Sequence, residues 1–392
     1  MEKSFEENKT TFSVGTNVSA SLAFDAAMRD KYEKLLLDSI RSELLFTYST
    51  PLSAGLIVLY TICFLVGLVG NLLVMSVVLR SRRMHTITNK FLGNLAVCDL
   101  MVICFCVPSN IALEAYRSYM FGDALCRVLP YIQGISVSGS VLSLTVISLD
   151  RFHSLSHQGK PPRSFLKQNS IVVLVLIWVV SMAIMSPLLF VNHLDHVTLD
   201  FGLSENLTLA ICKEDWPSDA GKQQYSVTLF VFHLIIPAAI MILANALVGK
   251  KLWRADDIDE VENATRLESG MISHAVVASG LKRQRGIVKM LVALLSVFFV
   301  FWTPYYVITL WLDFRIGKHW EENSVAGNVY PFTLFLGLAN SAINPICYSL
   351  MNARFREATK DVFSRKMQWI PPSSETTNTK NTEQVSADVF SL

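Results

Sequence analysis

Residues 44–79 read LLFTYSTPLSAGLIVLYTICFLVGLVGNLLVMSVVL and contain no Asp, Glu, Lys or Arg. About 20 helical residues, each rising roughly 1.5 Å, cross a hydrocarbon core of about 30 Å, so this run can span a membrane. Six more runs are free of charged residues, apart from Asp99 in the first of them; they lie between Lys90 and Glu114, Arg127 and Asp150, Lys167 and Asp195, Lys222 and Lys250, Lys289 and Asp313, and Glu322 and Arg354. The sequence therefore predicts an all-α membrane protein, a bundle of seven transmembrane helices.

The composition favours a membrane protein over other classes. Of 392 residues, 52% are hydrophobic and 17% are charged, whereas soluble domains carry about 25% charged residues. A soluble protein with deeply buried helices is the alternative, but its apolar runs are usually only about 10–14 residues long. The 34 Lys and Arg residues nearly balance the 32 Asp and Glu residues, so we expect no nucleic-acid partner.

The basic residues between the runs predict the orientation of the chain. Lys and Arg are frequent in the connections after the first, third and fifth runs and rarer in the others, which by the positive-inside rule places the N-terminus outside the cell. The first 30 residues contain no apolar signal-peptide core, so no cleaved signal peptide is expected. We expect a multi-pass plasma-membrane protein with an extracellular segment at 1–50, a helix bundle at 51–351 and a cytoplasmic C-terminus.

Two cysteines and three sequons fall on the predicted outer face. Cys126 and Cys212 are expected to form a disulfide there, because the exterior is oxidising. Asn8, Asn17 and Asn206 begin Asn-X-Ser/Thr sequons on the same side and are predicted to be glycosylated.

Polar residues inside the apolar runs are candidates for function, because a buried charge is costly. The polar residues of this set are Asp99, Asn71, Ser140, Asn340, Ser341 and Asn344. Their oxygen atoms are suited to bind water and a monovalent cation; alternatively, these residues only form hydrogen bonds between helices. Arg151 follows Asp150 at the end of the third run, where the alternative is an arginine that merely extends to the membrane surface. Prolines 304 and 345 within the sixth and seventh runs each remove a backbone hydrogen bond and predict kinks, with hinges there as a hypothesis.

Every run contributes a short motif, and the motifs follow one another in a fixed order. They are Gly70-Asn71, Asn94-Leu95-Ala96-Val97-Cys98-Asp99-Leu100, Ser148-Leu149-Asp150-Arg151-Phe152, Trp178, Pro237, Phe298-Phe299-Val300-Phe301-Trp302-Thr303-Pro304-Tyr305 and Asn344-Pro345-Ile346-Cys347-Tyr348. Taken together, they resemble the motifs of rhodopsin-like (class A) G protein-coupled receptors over about residues 50–366.

This resemblance implies roles for particular residues. Asp99, Ser140, Asn340 and Asn344 would form a site for water and an allosteric sodium ion; no other cofactor is expected, and the protein would not be an enzyme. The implied activation switch comprises Asp150, Arg151, Phe298, Trp302, Pro304, Asn344, Pro345 and Tyr348. In it Trp302 lies under the ligand, Phe298 repacks when the sixth helix moves, and Arg151 engages a heterotrimeric G protein.

Beyond the bundle, residues 352–366 resemble the short amphipathic eighth helix of the family, which lies along the membrane lipid. Residues 367–392 are predicted to be a disordered cytoplasmic tail, whose Ser and Thr residues between 373 and 382 would attract receptor kinases and arrestin. Three positions depart from the family pattern. Phe152 replaces the usual Tyr after Arg151, as it does in many members of the family. Asn245 replaces a common Tyr, which puts its bridge to Tyr348 in doubt, and Gln284 replaces a Glu that pairs with Arg151 in some members.

The ligand is expected to be a peptide. Gln133 occupies the position of the Asp of amine receptors, and no Lys for retinal occurs between Glu322 and Arg354. Residues 125–138 are most similar to neuropeptide receptors of the orexin, allatotropin and neuropeptide FF group, which bind peptides with amidated C-termini. Gln133 could hydrogen-bond such an amide. The remaining expected ligand contacts are Asn110, Pro130, Glu214, Asp215, His233, Thr309, Asp313 and Tyr330.

Three points stay open on the sequence alone. The acids Glu214, Asp215 and Asp313 would receive a basic side chain of the ligand, unless they are simply solvated loop residues. Residues 23–46 predict an amphipathic helix, which either packs against the ligand or lies on the membrane. A class A receptor for a lipid or amine is the alternative function, and a polytopic transporter is a weaker one.

Overall fold

The computed structural model describes residues 28–40, 51–81, 86–116, 118–156, 165–201, 206–265, 271–314 and 325–363. Among these residues, seven helices are long and apolar enough to cross a membrane, which confirms the predicted bundle. They are numbered here as spans one to seven: Pro51–Arg80, Ile87–Ala115, Gly122–Ser154, Asn169–Val191, Asp219–Leu252, Gln284–Asp313 and Val329–Met351. Asn8, Asn17 and residues 364–392 lie outside the described residues, so what the sequence predicts for them stays a prediction.

Several helices extend beyond the membrane-length segments they contain. The helix of span three continues to Ser156, and that of span five continues to Thr265. The helices of spans four, six and seven are Phe165–Met185 with a short continuation at Leu188–Val191, Met271–Asp313, and Val325–Met351. Pro304 and Pro345 lie inside uninterrupted helices.

Two other prolines coincide with a change of helix type. Span two passes through a π-helical turn at Val102–Cys106 before Pro108, and span five passes through one at Val231–Ile235 before Pro237. Proline has no N–H to donate, and its ring clashes with the carbonyl four residues earlier, so the turn before it widens. The wide turn in span five determines which side chains of that helix point into the bundle.

A two-stranded antiparallel hairpin lies at one end of the bundle. Its strands are β1, Asn192–Leu199, and β2, Leu207–Glu214. The predicted disulfide Cys126–Cys212 is present, with a Cα–Cα distance of 5.6 Å, and joins β2 to the start of span three. Lys213 on β2 lies 2.5 Å from Asp195 on β1, and its hydrogen bond holds the pKa of that carboxyl below its usual range. We call this the disulfide end, and the opposite end of span three the Arg151 end.

The core of the bundle is continuous from one end to the other. Its largest hydrophobic cluster includes Leu95, Leu144, Met241, Phe298 and Trp302, which come from spans two, three, five and six. A second cluster joins spans one, two and seven. Large apolar side chains such as Leu65, Val69, Ile171 and Leu243 face outward and are exposed, as expected for a surface in contact with lipid.

Two predicted amphipathic helices are present. The eighth helix is Ala353–Phe363; it buries Phe355 and Ala358, and its Arg356 donates a hydrogen bond to the Leu350 carbonyl at 2.7 Å. Of the segment 23–46, residues 28–40 are described and helical, and the apolar side chains of Tyr32 and Leu35 are exposed.

Candidate functional site

A cavity of about 670 Å³ opens at the disulfide end between the spans and strand β2. Aromatic side chains form much of its wall and floor, including Tyr225, Trp302, Tyr305 and Tyr306. Eight of the nine predicted ligand contacts line it: Asn110, Pro130, Gln133, Glu214, His233, Thr309, Asp313 and Tyr330. Asp215 does not line the cavity; its backbone N–H donates a hydrogen bond to the Val191 carbonyl at 2.8 Å.

The two acids of the cavity share a lysine of span five. Lys222 Nζ lies 3.3 Å from Asp313 Oδ1 and 3.5 Å from Glu214 Oε2. The other oxygen of Asp313 accepts a hydrogen bond of 2.5 Å from the Ser226 hydroxyl, and Glu214 accepts one of 2.8 Å from the Trp216 indole. The sequence left open whether these acids receive a ligand cation or are solvated loop residues, and it did not predict Lys222 between them.

The floor of the cavity contains a chain of hydrogen bonds that links spans three, five and six. Ser138 Oγ lies 2.6 Å from His233 Nε2, and Tyr306 Oη lies 2.9 Å from His233 Nδ1. Ser138 Oγ also lies 2.9 Å from the Gly134 carbonyl, and when its hydroxyl donates there it accepts a proton from Nε2. The neutral imidazole then carries its proton on Nε2, and Nδ1 accepts the proton of Tyr306. All members of this relay are buried.

Trp302 closes the floor and is tightly confined. Its ring packs edge-on against Tyr305 with a centroid distance of 5.6 Å and lies 6.4 Å from the ring of Phe298 below it. Gly337 of span seven approaches so closely that a Cβ atom there would lie 2.8 Å from the indole. The indole therefore has no room to move on the side that faces span seven.

A buried polar cluster lies deeper in the bundle. Asn344 donates a hydrogen bond of 2.9 Å to Asp99, which is 1% exposed. Asn71 donates to carbonyl oxygens of both span one and span seven. Asn340 and Ser140 are buried as well, and within the described part of the chain Asn340 Oδ1 has no hydrogen-bond partner. These ligand atoms are hard oxygens around the carboxylate of Asp99, which takes part in none of the ion pairs among the described residues, and such a set fits a sodium ion.

Arg151 is held by spans three and two. Its Nη2 donates hydrogen bonds of 2.8 Å to Asp150 and to the Thr88 hydroxyl. Nearby, Asn245 and Tyr348 are buried, and among the described residues Asn245 Oδ1 and Tyr348 Oη have no hydrogen-bond partner. The guanidinium is thus turned back into the bundle.

With this geometry established, comparison with known proteins gives a clear result. The family described as "7 transmembrane receptor (rhodopsin family)" matches residues 70–348, most of the chain. The chain belongs to the rhodopsin family of seven-transmembrane receptors.

Several relatives align with most of this receptor and with about three quarters or more of their own length. Neuropeptide FF receptor 2 of Rattus norvegicus is 29% identical over 334 residues, covering 83% of this chain and 76% of the relative. Neuropeptide FF receptor 1 of Homo sapiens is 29% identical over 356 residues, covering 90% and 77%. The QRFP-like peptide receptor of Branchiostoma floridae is 28% identical over 326 residues, covering 83% and 82%.

The receptor places its predicted residues in two groups. The expected ligand contacts, apart from Asp215, meet at the disulfide end, whereas Asp150, Arg151 and Tyr348 lie towards the other end. Sequence reasoning missed Ser138 and Tyr306 as partners of His233. Ser138, His233 and Tyr306 lie on three different helices, far apart in the sequence. No pattern within one segment indicates that they meet, and only the folded bundle brings them together.

Proposed function

We propose that this receptor binds an extracellular neuropeptide with an amidated C-terminus and activates heterotrimeric G proteins. The observation that carries this proposal is that eight residues predicted as ligand contacts line one cavity at the disulfide end. A cavity of about 670 Å³ is within the usual range for binding pockets, and it suits the end of a peptide whose remainder lies along the hairpin. The relatives that carry peptide names support the same ligand class.

The proposed orientation has the disulfide end outside the plasma membrane. The Lys and Arg distribution supports it, and a disulfide is stable in the oxidising exterior. Asn206 is exposed next to β2 and is proposed to be glycosylated together with Asn8 and Asn17.

The proposed ligand contacts divide by chemistry. Gln133 would hydrogen-bond the terminal amide, since its side chain offers both a donor and an acceptor. Asp313 and Glu214 would bind one basic side chain of the peptide through charge-assisted hydrogen bonds. Asn110, Pro130, His233, Thr309 and Tyr330 complete the wall, whereas Asp215, which lies outside the cavity, is not assigned a contact.

Binding is coupled to signalling through the floor of the cavity. A peptide that presses on Trp302 displaces Phe298 beneath it and favours an outward swing of span six about Pro304. Arg151 then leaves Asp150 and Thr88 and meets the G protein. The peptide shifts this equilibrium only as far as its affinities for the two states differ.

Asp99, Ser140, Asn340 and Asn344 would hold a sodium ion in the conformation described. A bound ion supplies the positive charge that a buried carboxylate needs. In this chain, Asn344 and Pro345 connect that cluster to Tyr348 and so to the inner half of span seven.

Other partners act at the Arg151 end. The eighth helix presents its polar face away from the bundle and its Phe355 and Ala358 inward, which suits a helix lying on membrane lipid. Phosphorylation of the tail by receptor kinases would create the negative charges that arrestin binds.

The test is a peptide screen on cells that express the receptor, with calcium and cyclic AMP as readouts. The panel contains amidated peptides, including neuropeptide FF, and each peptide has a free-acid counterpart that differs only at its C-terminus. We expect the amidated form to be at least about tenfold more potent, because the acid loses a hydrogen bond and adds a charge. Activation by a lipid or an amine, with every peptide inactive, would overturn the proposal.

A further inference from the structure

Lys222 lies where a positively charged group of a ligand is expected. Its ammonium is within 3.3 Å of Asp313 and 3.5 Å of Glu214, and its side chain is 29% exposed. It therefore already makes the ion pairs that the proposed function assigns to a basic residue of the peptide. This inference rests on that proposed function and concerns how selective the site is.

The local helix does not favour a cation at this position. Ser218 caps the helix of span five by accepting a hydrogen bond from the Gly221 N–H at 3.1 Å, and Lys222 follows in the first turn. A helix N-terminus carries a partial positive charge, which repels an ammonium group. The two carboxylates are thus what holds Lys222 across the cavity.

The formal charges leave room for one more cation. Glu214 and Asp313 together carry two negative charges, and Lys222 neutralises one of them. Lys213 also lines the cavity, but it is paired with Asp195 on the hairpin. A ligand with a single positive group balances the remaining negative charge. It can do so when Lys222 releases Asp313 and remains paired with Glu214.

We propose that Lys222 is a specificity-determining residue that competes with the ligand cation for Asp313. In the peptide-free receptor it occupies part of the cation position and links span five to the outer end of span six. The cation of the peptide must displace Lys222 from Asp313. It therefore adds to the binding free energy only the difference between the energies of these two contacts. The receptor therefore discriminates less between charged and neutral peptides than its two acids alone would.

The experiment compares two probes on variants that are matched in charge. The probes are an N-acetylated, amidated tetrapeptide whose arginine is its one positive group, and the same peptide with citrulline, whose side chain has nearly the same shape but no charge. Lys222→Met removes the competing ammonium and keeps the length of the side chain. Lys213→Met removes the same charge from the cavity wall but leaves both acids paired as before. Surface expression is measured for every variant.

We expect the affinity ratio of the arginine peptide to the citrulline peptide to rise about two- to fivefold in Lys222→Met, as for a partly exposed ion pair. The ratio should not change in Lys213→Met. An unchanged or smaller ratio in Lys222→Met would overturn the proposal, and so would an equal rise in both variants, which would indicate a general effect of charge.

Asp313→Asn separates this inference from the proposed function. If the ratio falls to near one in Asp313→Asn but does not rise in Lys222→Met, the ligand cation binds at Asp313 and the competition by Lys222 is wrong. If the ratio is the same in Asp313→Asn as in the unmodified receptor, or if neither probe binds, the proposed cation contact is wrong and the role of Lys222 is refuted with it.

Discussion

Replacing Gly337 by Ala tests whether Trp302 is confined as the structure shows. A Cβ atom on residue 337 would lie 2.8, 3.0 and 3.1 Å from three atoms of the indole ring. Distances this short require the ring to move. The ring is rigid and is packed against Tyr305, Tyr306 and Phe298, so it cannot turn aside as a flexible chain can.

The expected cost follows from two opposing effects. Forcing an extra methyl group into a packed core costs about 1–3 kcal/mol. Replacing a helical glycine by alanine gains up to about 1 kcal/mol through helix propensity. Gly55 in span one has no atom within 4 Å of the corresponding Cβ position, so Gly55→Ala reports the propensity alone. The difference in stability between the two variants is then the cost of the clash.

A third variant calibrates the effect of a flexible neighbour. At Gly134 the added Cβ would lie close to the sulfur and Cγ of Met185, an unbranched side chain that adapts readily. In the detergent-solubilised receptor without peptide, we expect melting temperatures to fall in the order Gly55→Ala, Gly134→Ala, Gly337→Ala. Equal melting temperatures for Gly55→Ala and Gly337→Ala would show that Trp302 moves freely, and would refute its use as a confined switch.

Three more predictions concern the relay, the amide contact and the disulfide. Tyr306→Phe should destabilise the receptor by about 1–3 kcal/mol, because it leaves a buried nitrogen of His233 without its partner; thermal melting measures this. Gln133→Ala should reduce the potency of an amidated peptide about three- to tenfold in the calcium assay, through loss of one hydrogen bond. Cys126→Ser should lower peptide affinity in a binding assay, because the β2 strand carrying Cys212 is no longer tied to span three.

Each of these predictions has a matched control. Ser296→Ala removes an exposed hydroxyl that donates to the Val292 carbonyl of its own helix. If Ser296→Ala lowers the melting temperature as much as Tyr306→Phe does, the result argues against the relay. Unchanged potency in Gln133→Ala, with surface expression kept, would exclude the amide contact. Cys104→Ser removes a thiol from the exposed surface of span two; equal losses in both cysteine variants would mean that the disulfide is not what matters.

The seven spans could be predicted because they depend on a local property, the length of apolar runs between charges. The disulfide was also predictable, since the topology leaves Cys126 and Cys212 on the same face. The eighth helix was expected at 352–366, and its observed bounds, Ala353–Phe363, reflect local amphipathicity in the same way. In each of these cases the information lies within one segment or in its side of the membrane.

Contacts between distant helices could not be predicted in the same way. In the sequence, Lys222 only marks the start of the fifth charge-free run, whereas Asp313 at the end of the sixth was also expected to contact the ligand. Their pairing depends on how spans five and six are rotated about their axes, and a π-helical turn at Val231–Ile235 changes that rotation. A proline in the sequence does not by itself predict such a turn, because Pro304 and Pro345 lie inside uninterrupted helices. Lys222 could therefore not be recognised as a partner of the acids.

The departure from the family pattern at Gln284 bears on which contacts hold span six in place. Gln284 is neutral and cannot form an ion pair with Arg151, whose hydrogen bonds of 2.8 Å go to Asp150 and Thr88 of spans three and two. Span six is instead joined to spans three and five by the relay through Tyr306 and to span seven by the close packing of Trp302. We therefore propose that the barrier to its outward swing lies in these contacts below the ligand-binding cavity, rather than at the surface that meets the G protein.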